Sequence, residues 1–172
     1  MTRIVSGRWG GRRLTVPRDR TVRPTAERVR EAWLNILGPR LPGARVLDLC
    51  AGSGALGLEA LSRGAQHTTF VDAHTDSLRV LRANIASLDA GASTTVIRDD
   101  AARFIGALGP NAFDLALADP PFASDLAQRI IDAWTVVPFA AVLAVEHPRQ
   151  REIPGAHTRH WGDIAVSFLE AP

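Results

Sequence analysis

From Ala44 to the C-terminal end, two hydrophobic rhythms alternate along this chain. Short runs carrying Val, Leu, Ile, Ala or Phe predict strands over Arg45–Cys50, His67–Asp72, Thr94–Arg98, Phe113–Asp119, Ala141–Glu146 and Ile164–Leu169. Between them, apolar positions three and four apart predict helices over Ala55–Arg63, Thr75–Leu88, Ala101–Leu108 and Asp125–Trp134. Strand and helix alternating with short connections predict an α/β fold, a doubly wound parallel sheet with helices on both faces. Ile164–Leu169 follows a segment, Pro148–Trp161, with no helical period, so it is expected to run antiparallel at or near an edge.

The first forty residues follow a different pattern. Arg3–Ser6 and Arg13–Val16 read as a β-hairpin around a turn rich in Gly7, Gly10 and Gly11. Pro17–Pro24 is a basic loop. Thr25 is placed to cap a helix reaching about Leu37, where Gly38 and Pro39 stop it, with Val29, Trp33, Ile36 and Leu37 on its buried face. The chain is thus expected to divide into an N-terminal hairpin-helix extension, 1–40, and an α/β domain, 41–172.

Charge separates the same two regions. All twenty basic residues are arginine, and the net charge is +2. Residues 1–40 hold ten arginines against three acids, a local charge of +7, whereas residues 41–172 hold ten against fifteen, a charge of −5. A basic extension on a mildly acidic body suggests a polyanionic partner, with nucleic acid favoured over a merely solvated surface. The candidate contacts are Arg3, Arg8, Arg12, Arg13, Arg23 and Arg28. No uncharged apolar stretch is long enough to cross a bilayer, and the N-terminus has no signal-peptide core, so no membrane role and a cytoplasmic location are expected. One cysteine, Cys50, excludes an intrachain disulfide, and five scattered histidines give no expectation of a metal site.

The chemistry concentrates at strand ends. Val46-Leu47-Asp48-Leu49-Cys50 leads into Ala51-Gly52-Ser53-Gly54-Ala55-Leu56-Gly57, a glycine loop between strand and helix that also fits a dinucleotide fingerprint. The flanking residues decide between a dinucleotide and S-adenosylmethionine. Asp48, Asp72, Asp99-Asp100 and Asp119 fall in or just after four successive strands and converge on one crevice. Such a field repels a pyrophosphate and favours a ligand carrying an ammonium and a sulfonium. Gly52, Ser53 and Gly54 then lie along the methionine part, Asp48 is placed for its amino group, Asp72 for the ribose hydroxyls, and Asp100 with Ala101 for the adenine.

Asp119-Pro120-Pro121-Phe122 closes the apolar run Phe113–Ala118 at the end where open α/β sheets place ligands. Two prolines fix φ twice and remove two donors, leaving carbonyl acceptors beside a carboxylate and an aromatic face. That set suits a flat group bearing N–H donors, such as the exocyclic amine of a nucleobase. Asp119, Pro120, Pro121 and Phe122 are the candidate catalytic residues.

With Asp48–Gly57 and Asp119–Phe122 in one chain, the sequence resembles the class I S-adenosylmethionine-dependent methyltransferases that act on exocyclic amines. It is most similar to the RsmD family, through Arg3-Ile4-Val5-Ser6-Gly7, Gly11-Arg12-Arg13-Leu14, Val22-Arg23-Pro24-Thr25, Arg28–Leu37, Leu47–Ala65 and Asp119–Phe122. Cys50 and Trp33 stand where phenylalanine is common, Asp72 where glutamate is common, and Trp161 where tyrosine is usual. The resemblance implies a Rossmann-like sheet of seven strands with the last antiparallel. It also implies methyl transfer to guanine N2 of 16S ribosomal RNA, in the assembled or assembling 30S subunit; the chain itself is expected to be a monomer. The same chemistry serves DNA adenine-N6 and cytosine-N4 methyltransferases, which normally carry a sizeable recognition region that this chain lacks. A protein-glutamine methyltransferase is expected to have asparagine at position 119.

Overall fold

A computed structural model describes residues 2–18 and 24–172, with the side chains of residues 24–26 left aside. Arg23 therefore lies outside the described residues, as does the side chain of the expected cap, Thr25. After a short antiparallel pair, β1 (Thr2–Arg3) with β2 (Arg13–Leu14), come α1 (Pro24–Ile36) and a 3-10 turn at Gly38–Arg40. The alternating part runs β3 (Arg45–Leu49), α2 (Ala55–Ser62), β4 (His67–Asp72), α3 (Thr75–Ser87), β5 (Thr94–Arg98), α4 (Ala101–Gly106), β6 (Phe113–Ala118), α5 (Leu126–Val136) and β7 (Ala140–Pro148). It closes with β8 (His157–Trp161) and β9 (Ile164–Glu170).

The large sheet has seven strands in the order β5-β4-β3-β6-β7-β9-β8. The first five are parallel, and β9 inserts antiparallel between β7 and β8. The antiparallel last strand is as expected, one place in from the edge. The edge strand β8 has no counterpart in the apolar pattern, because its sequence, His-Thr-Arg-His-Trp, buries no residue fully. Strand order reverses between β3 and β6, opening a crevice at their carboxyl ends.

Side-chain alternation builds two cores, one on each face. Val46, Phe70, Leu115 and Leu117 face the core shared with α1, α2 and α3, whereas Leu47, Leu49, Val71, Ala116 and Ala118 face α4 and α5. The hairpin belongs to the first core: Ile4 and Leu14 are both buried in it. On α1, Leu34 is buried in the place expected of Ile36, which is exposed, so the buried stripe runs Val29, Trp33, Leu34, Leu37.

Polar side chains complete the docking of the hairpin. Glu59, wholly buried on α2, accepts the Val5 and Ser6 N–H groups at 2.7 and 2.9 Å. Ser62 donates to the Ser6 carbonyl at 2.6 Å and accepts from the Trp9 N–H at 3.0 Å. Asn84 on α3 accepts from Thr15 N–H at 2.9 Å and donates to the Thr15 and Ser53 carbonyls. The last of these bonds ties the hairpin and the glycine loop to one side chain.

Candidate active site

The loop after β3 turns left-handed at Cys50, Gly52 and Gly54, with φ of 61°, 57° and 81°. Gly54 caps α2 in that conformation, and a Cβ there would collide with Leu81. At Gly57, one turn into α2, a Cβ would collide with Phe70 and come within 2.9 Å of Asp48 Oδ2. These glycines let the helix and loop lie directly on the sheet.

Asp48 explains the close approach at Gly57. As an even partner of Val46 it points to the α2 face, is 1% exposed, and accepts the Gly57 N–H at 2.9 Å. Burial pushes its carboxyl up to about 8; the Gly57 hydrogen bond opposes this, and Asp119 and Asp72 add to it. Asp72, also buried, accepts the Gly52 and His74 N–H groups, both at 2.8 Å. Two of the expected cofactor carboxylates thus brace the crevice floor, Asp48 through the first turn of α2 and Asp72 through the loops after β3 and β4.

Two cavities share Cys50 between them. The larger, about 190 Å³, is lined by Asp48, the Cys50–Ser53 loop and the first turn of α2, by Asp119 and Glu146, and by Thr2, Val16, Pro17, Arg30 and Trp33 from the N-terminal region. The smaller, about 120 Å³, is lined by Val71, Asp72, Ala73, His74, Asp99, Asp100, Ala101, Pro121 and Leu126. Asp100 caps α4, its Oδ1 accepting the Arg103 N–H at 2.9 Å. Asp99 accepts from the Asp100 N–H at 2.7 Å and pairs with Arg103.

The structure brings Asp48, Gly52, Ser53 and Asp119 together around the first cavity, and Asp72, Asp100, Ala101 and Pro121 around the second. Asp119 is exposed and Pro120 is buried; Phe122, 43% exposed, and Pro120 line neither cavity. The Pro121 carbonyl is taken by Ser124, through N–H at 3.1 Å and Oγ at 2.8 Å. Arg3, Arg8, Arg12, Arg13 and Arg28 are all exposed. Of these, Arg12 donates to the Ser87 carbonyl at 2.7 Å, and Arg8 lies 4.0 Å from the Trp9 ring centroid.

Several site residues are not evident from the sequence. Glu146 follows the same logic as the others, a carboxylate near the carboxyl end of β7. Thr2, Val16 and Pro17 carry no signal, because the hairpin's place beside the crevice is a tertiary fact. Arg30 falls in the Arg28–Leu37 stretch of the family resemblance with no role of its own assigned, yet it is buried, donating to Thr2 Oγ1 at 3.2 Å and to the Arg3 carbonyl.

These linings fit S-adenosylmethionine. The larger cavity sets buried donors against carboxylates, as a zwitterionic amino acid requires: Arg30 Nε and Trp33 Nε1 are buried without a hydrogen-bond partner, and Asp48, Asp119 and Glu146 share the lining. The smaller combines three carboxylates with apolar Val71, Pro121 and Leu126, which suits a nucleoside's hydroxyls, amine and ring faces. Among the described residues, no group of three or more His, Cys, Asp or Glu is placed to hold a metal ion, and no helix is long and apolar enough to cross a membrane.

A parallel sheet in this order, ended by an inserted antiparallel strand and opening on a carboxylate-lined crevice, is the architecture of a class I methyltransferase, whose methyl donor is S-adenosylmethionine. The family model described as conserved hypothetical protein 95 matches residues 2–164. The chain belongs to that family, the RsmD methyltransferases. It is 34% identical to YlbH of Bacillus subtilis, over 88% of this chain and 85% of that protein. It is 41% identical to ribosomal RNA small subunit methyltransferase D of Escherichia coli K12, over 76% of this chain and 65% of that one. Among solved structures, YhhF of Escherichia coli superposes with a TM-score of 0.85 at 34% identity, covering 99% of this chain and 98% of that chain.

Proposed function

We propose that this methyltransferase modifies the exocyclic N2 of a guanine in 16S ribosomal RNA, within the 30S subunit or a precursor of it. One observation carries the reading: Asp119 lines the cavity that the glycine loop also lines, and the Asp-Pro-Pro-Phe turn that it opens ends in the exposed Phe122. The ribosomal RNA relatives give the substrate class, and the exposed arginines of the N-terminal region give a phosphate-binding surface.

The bound cofactor supplies an electrophilic methyl group on a sulfonium. The chain holds it through two sets of residues. Gly52, Ser53 and Gly54 line the methionine part, where Asp48 meets the amino group. Asp72 accepts from the ribose, and Asp100 and Ala101 meet the adenine edge. For the target base, Phe122 provides a stacking face once the guanine leaves its own stack. Asp119 and the Pro120 carbonyl accept the two amine N–H bonds, since Pro121's carbonyl is occupied by Ser124. That pairing turns the nitrogen lone pair toward the cofactor cavity and favours the positive charge that develops on nitrogen. The methylated nitrogen is acidic and sheds its proton afterwards, to Asp119 or to water.

Transfer of labelled methyl from S-adenosylmethionine to 30S particles, free 16S RNA, DNA and protein, followed by nucleoside analysis, tests the reading. It requires N2-methylguanosine from the RNA, with 30S particles the better substrate. Label in methyladenosine, methylcytosine or glutamine would reject it.

A further inference from the structure

Arg30 and Trp33 sit one turn apart on α1 and both line the larger cavity. Arg30 is 7% exposed and Trp33 is 1% exposed, yet Arg30 Nε and Trp33 Nε1 have no hydrogen-bond partner. A buried donor without an acceptor is costly, more so when charged, and here two such donors belong to residues that line one cavity. Among the described residues, Arg30 is the one cationic side chain lining that cavity, and the acidic residues that line it are Asp48, Asp119 and Glu146. Cation and carboxylates in one small cavity match the two ends of an amino acid.

We propose that Arg30, with the Trp33 indole N–H beside it, is the seat of the cofactor's carboxylate, and so fixes the methionine part relative to Asp48. The inference rests on the cofactor reading above and deepens it. The guanidinium is preorganised: Thr2 Oγ1 and the Arg3 carbonyl hold its Nη atoms, and Glu27 in turn accepts from Thr2 Oγ1 at 2.8 Å. Its desolvation lowers the cost of pairing it with an anion, because little water remains to be displaced. The N-terminal turn of α2 lines the same cavity, and its amides add a favourable partial charge for the carboxylate.

Calorimetric titration with S-adenosylhomocysteine and with its decarboxylated analogue, which keeps the amino group, isolates the contact. Wild type is expected to prefer the carboxylate-bearing ligand by about ten- to a hundredfold, the range for a hydrogen-bonded charge pair. Arg30→Met is expected to erase most of that preference, and Trp33→Phe, which keeps the ring in the core, to reduce it about threefold. Because Arg30 also anchors the hairpin, a purely structural role would weaken both ligands together. A preference ratio unchanged in Arg30→Met, or in Trp33→Phe if the arginine variant does not fold, overturns the proposal. Failure of wild type to bind either ligand would instead overturn the cofactor reading, and this inference with it.

Discussion

The floor and the rim of the crevice carry the same residue type to different ends. On the floor, Asp48 and Asp72 are buried: Asp48 accepts one backbone N–H from the first turn of α2, and Asp72 accepts two from the loops after β3 and β4. At the rim, Asp119 and Phe122 are exposed, on a turn stiffened by two prolines and closed by Ser124. A floor carboxylate is part of the fold, and removing its acceptor oxygens would disturb the backbone that it holds. A rim carboxylate can be changed with the fold intact. The acid-lined crevice is therefore not one electrostatic feature but two: a buried scaffold beneath the cavity and, in the function proposed above, a presenting surface for the substrate.

The floor breaks hardest at Gly54. Gly54→Val places a β-branched residue at φ 81° and drives a Cβ into Leu81. The expected loss is several kcal/mol of stability, about 3 or more, together with cofactor binding, read by urea denaturation and calorimetry. A variant that melts and binds like wild type would show that the loop does not rest on α3. The rim breaks differently. Phe122→Ala is expected to cut transfer about ten- to a hundredfold, the worth of a base stacked on an aromatic, while the unfolding midpoint stays put. Loss of stability with unchanged transfer would return Phe122 to a packing role.

Asp48 sharpens the contrast through pH. Its folded pKa is raised to about 8 by burial, above the ordinary carboxylate value of 3.8, so the folded protein holds a proton there that the unfolded chain releases. Stability from this group is full below the ordinary value and is lost as pH rises through about 8. Asp48→Asn is therefore expected to flatten the decline of stability between those limits, measured by denaturant unfolding across that range. Binding of a ligand with an ammonium group favours the carboxylate, so cofactor binding at neutral pH should release a proton, visible as a buffer-dependent heat. An equal slope in both proteins would mean that Asp48 is ionised in the fold. The smallest effects belong to the exposed arginines. Arg13→Ala and Arg28→Ala should each weaken RNA or subunit binding and lower the salt dependence by about one unit of slope for each phosphate no longer neutralised.

Much of the floor was legible in the sequence because it follows short-range rules. Apolar runs placed the five parallel strands and β9 to within a residue or two at most ends, and the carboxylates at their ends converged as alternation and parallel topology require. What escaped was carried by polar residues acting at long range. Glu59, Ser62 and Asn84 look like surface positions of helices, yet they are buried and tie the hairpin down. Nothing local in Thr2, Val16 or Pro17 announces that they border the cofactor cavity. The basic segment is therefore not only an arm: the part of it near the crevice, Arg30 included, is also wall, whereas Arg3, Arg8, Arg12 and Arg13 of the docked hairpin are exposed. β8 escaped for the opposite reason, since an edge strand needs little apolar content to pair.

Asp119→Ala, assayed side by side for S-adenosylhomocysteine affinity and for methyl transfer to 30S particles, bears most directly on the division between floor and rim. The expected result is an affinity within about threefold of wild type and transfer reduced about a thousandfold, the scale of losing a positioned acceptor in the transition state. Near-normal transfer, or a parallel collapse of affinity and transfer, would contradict it.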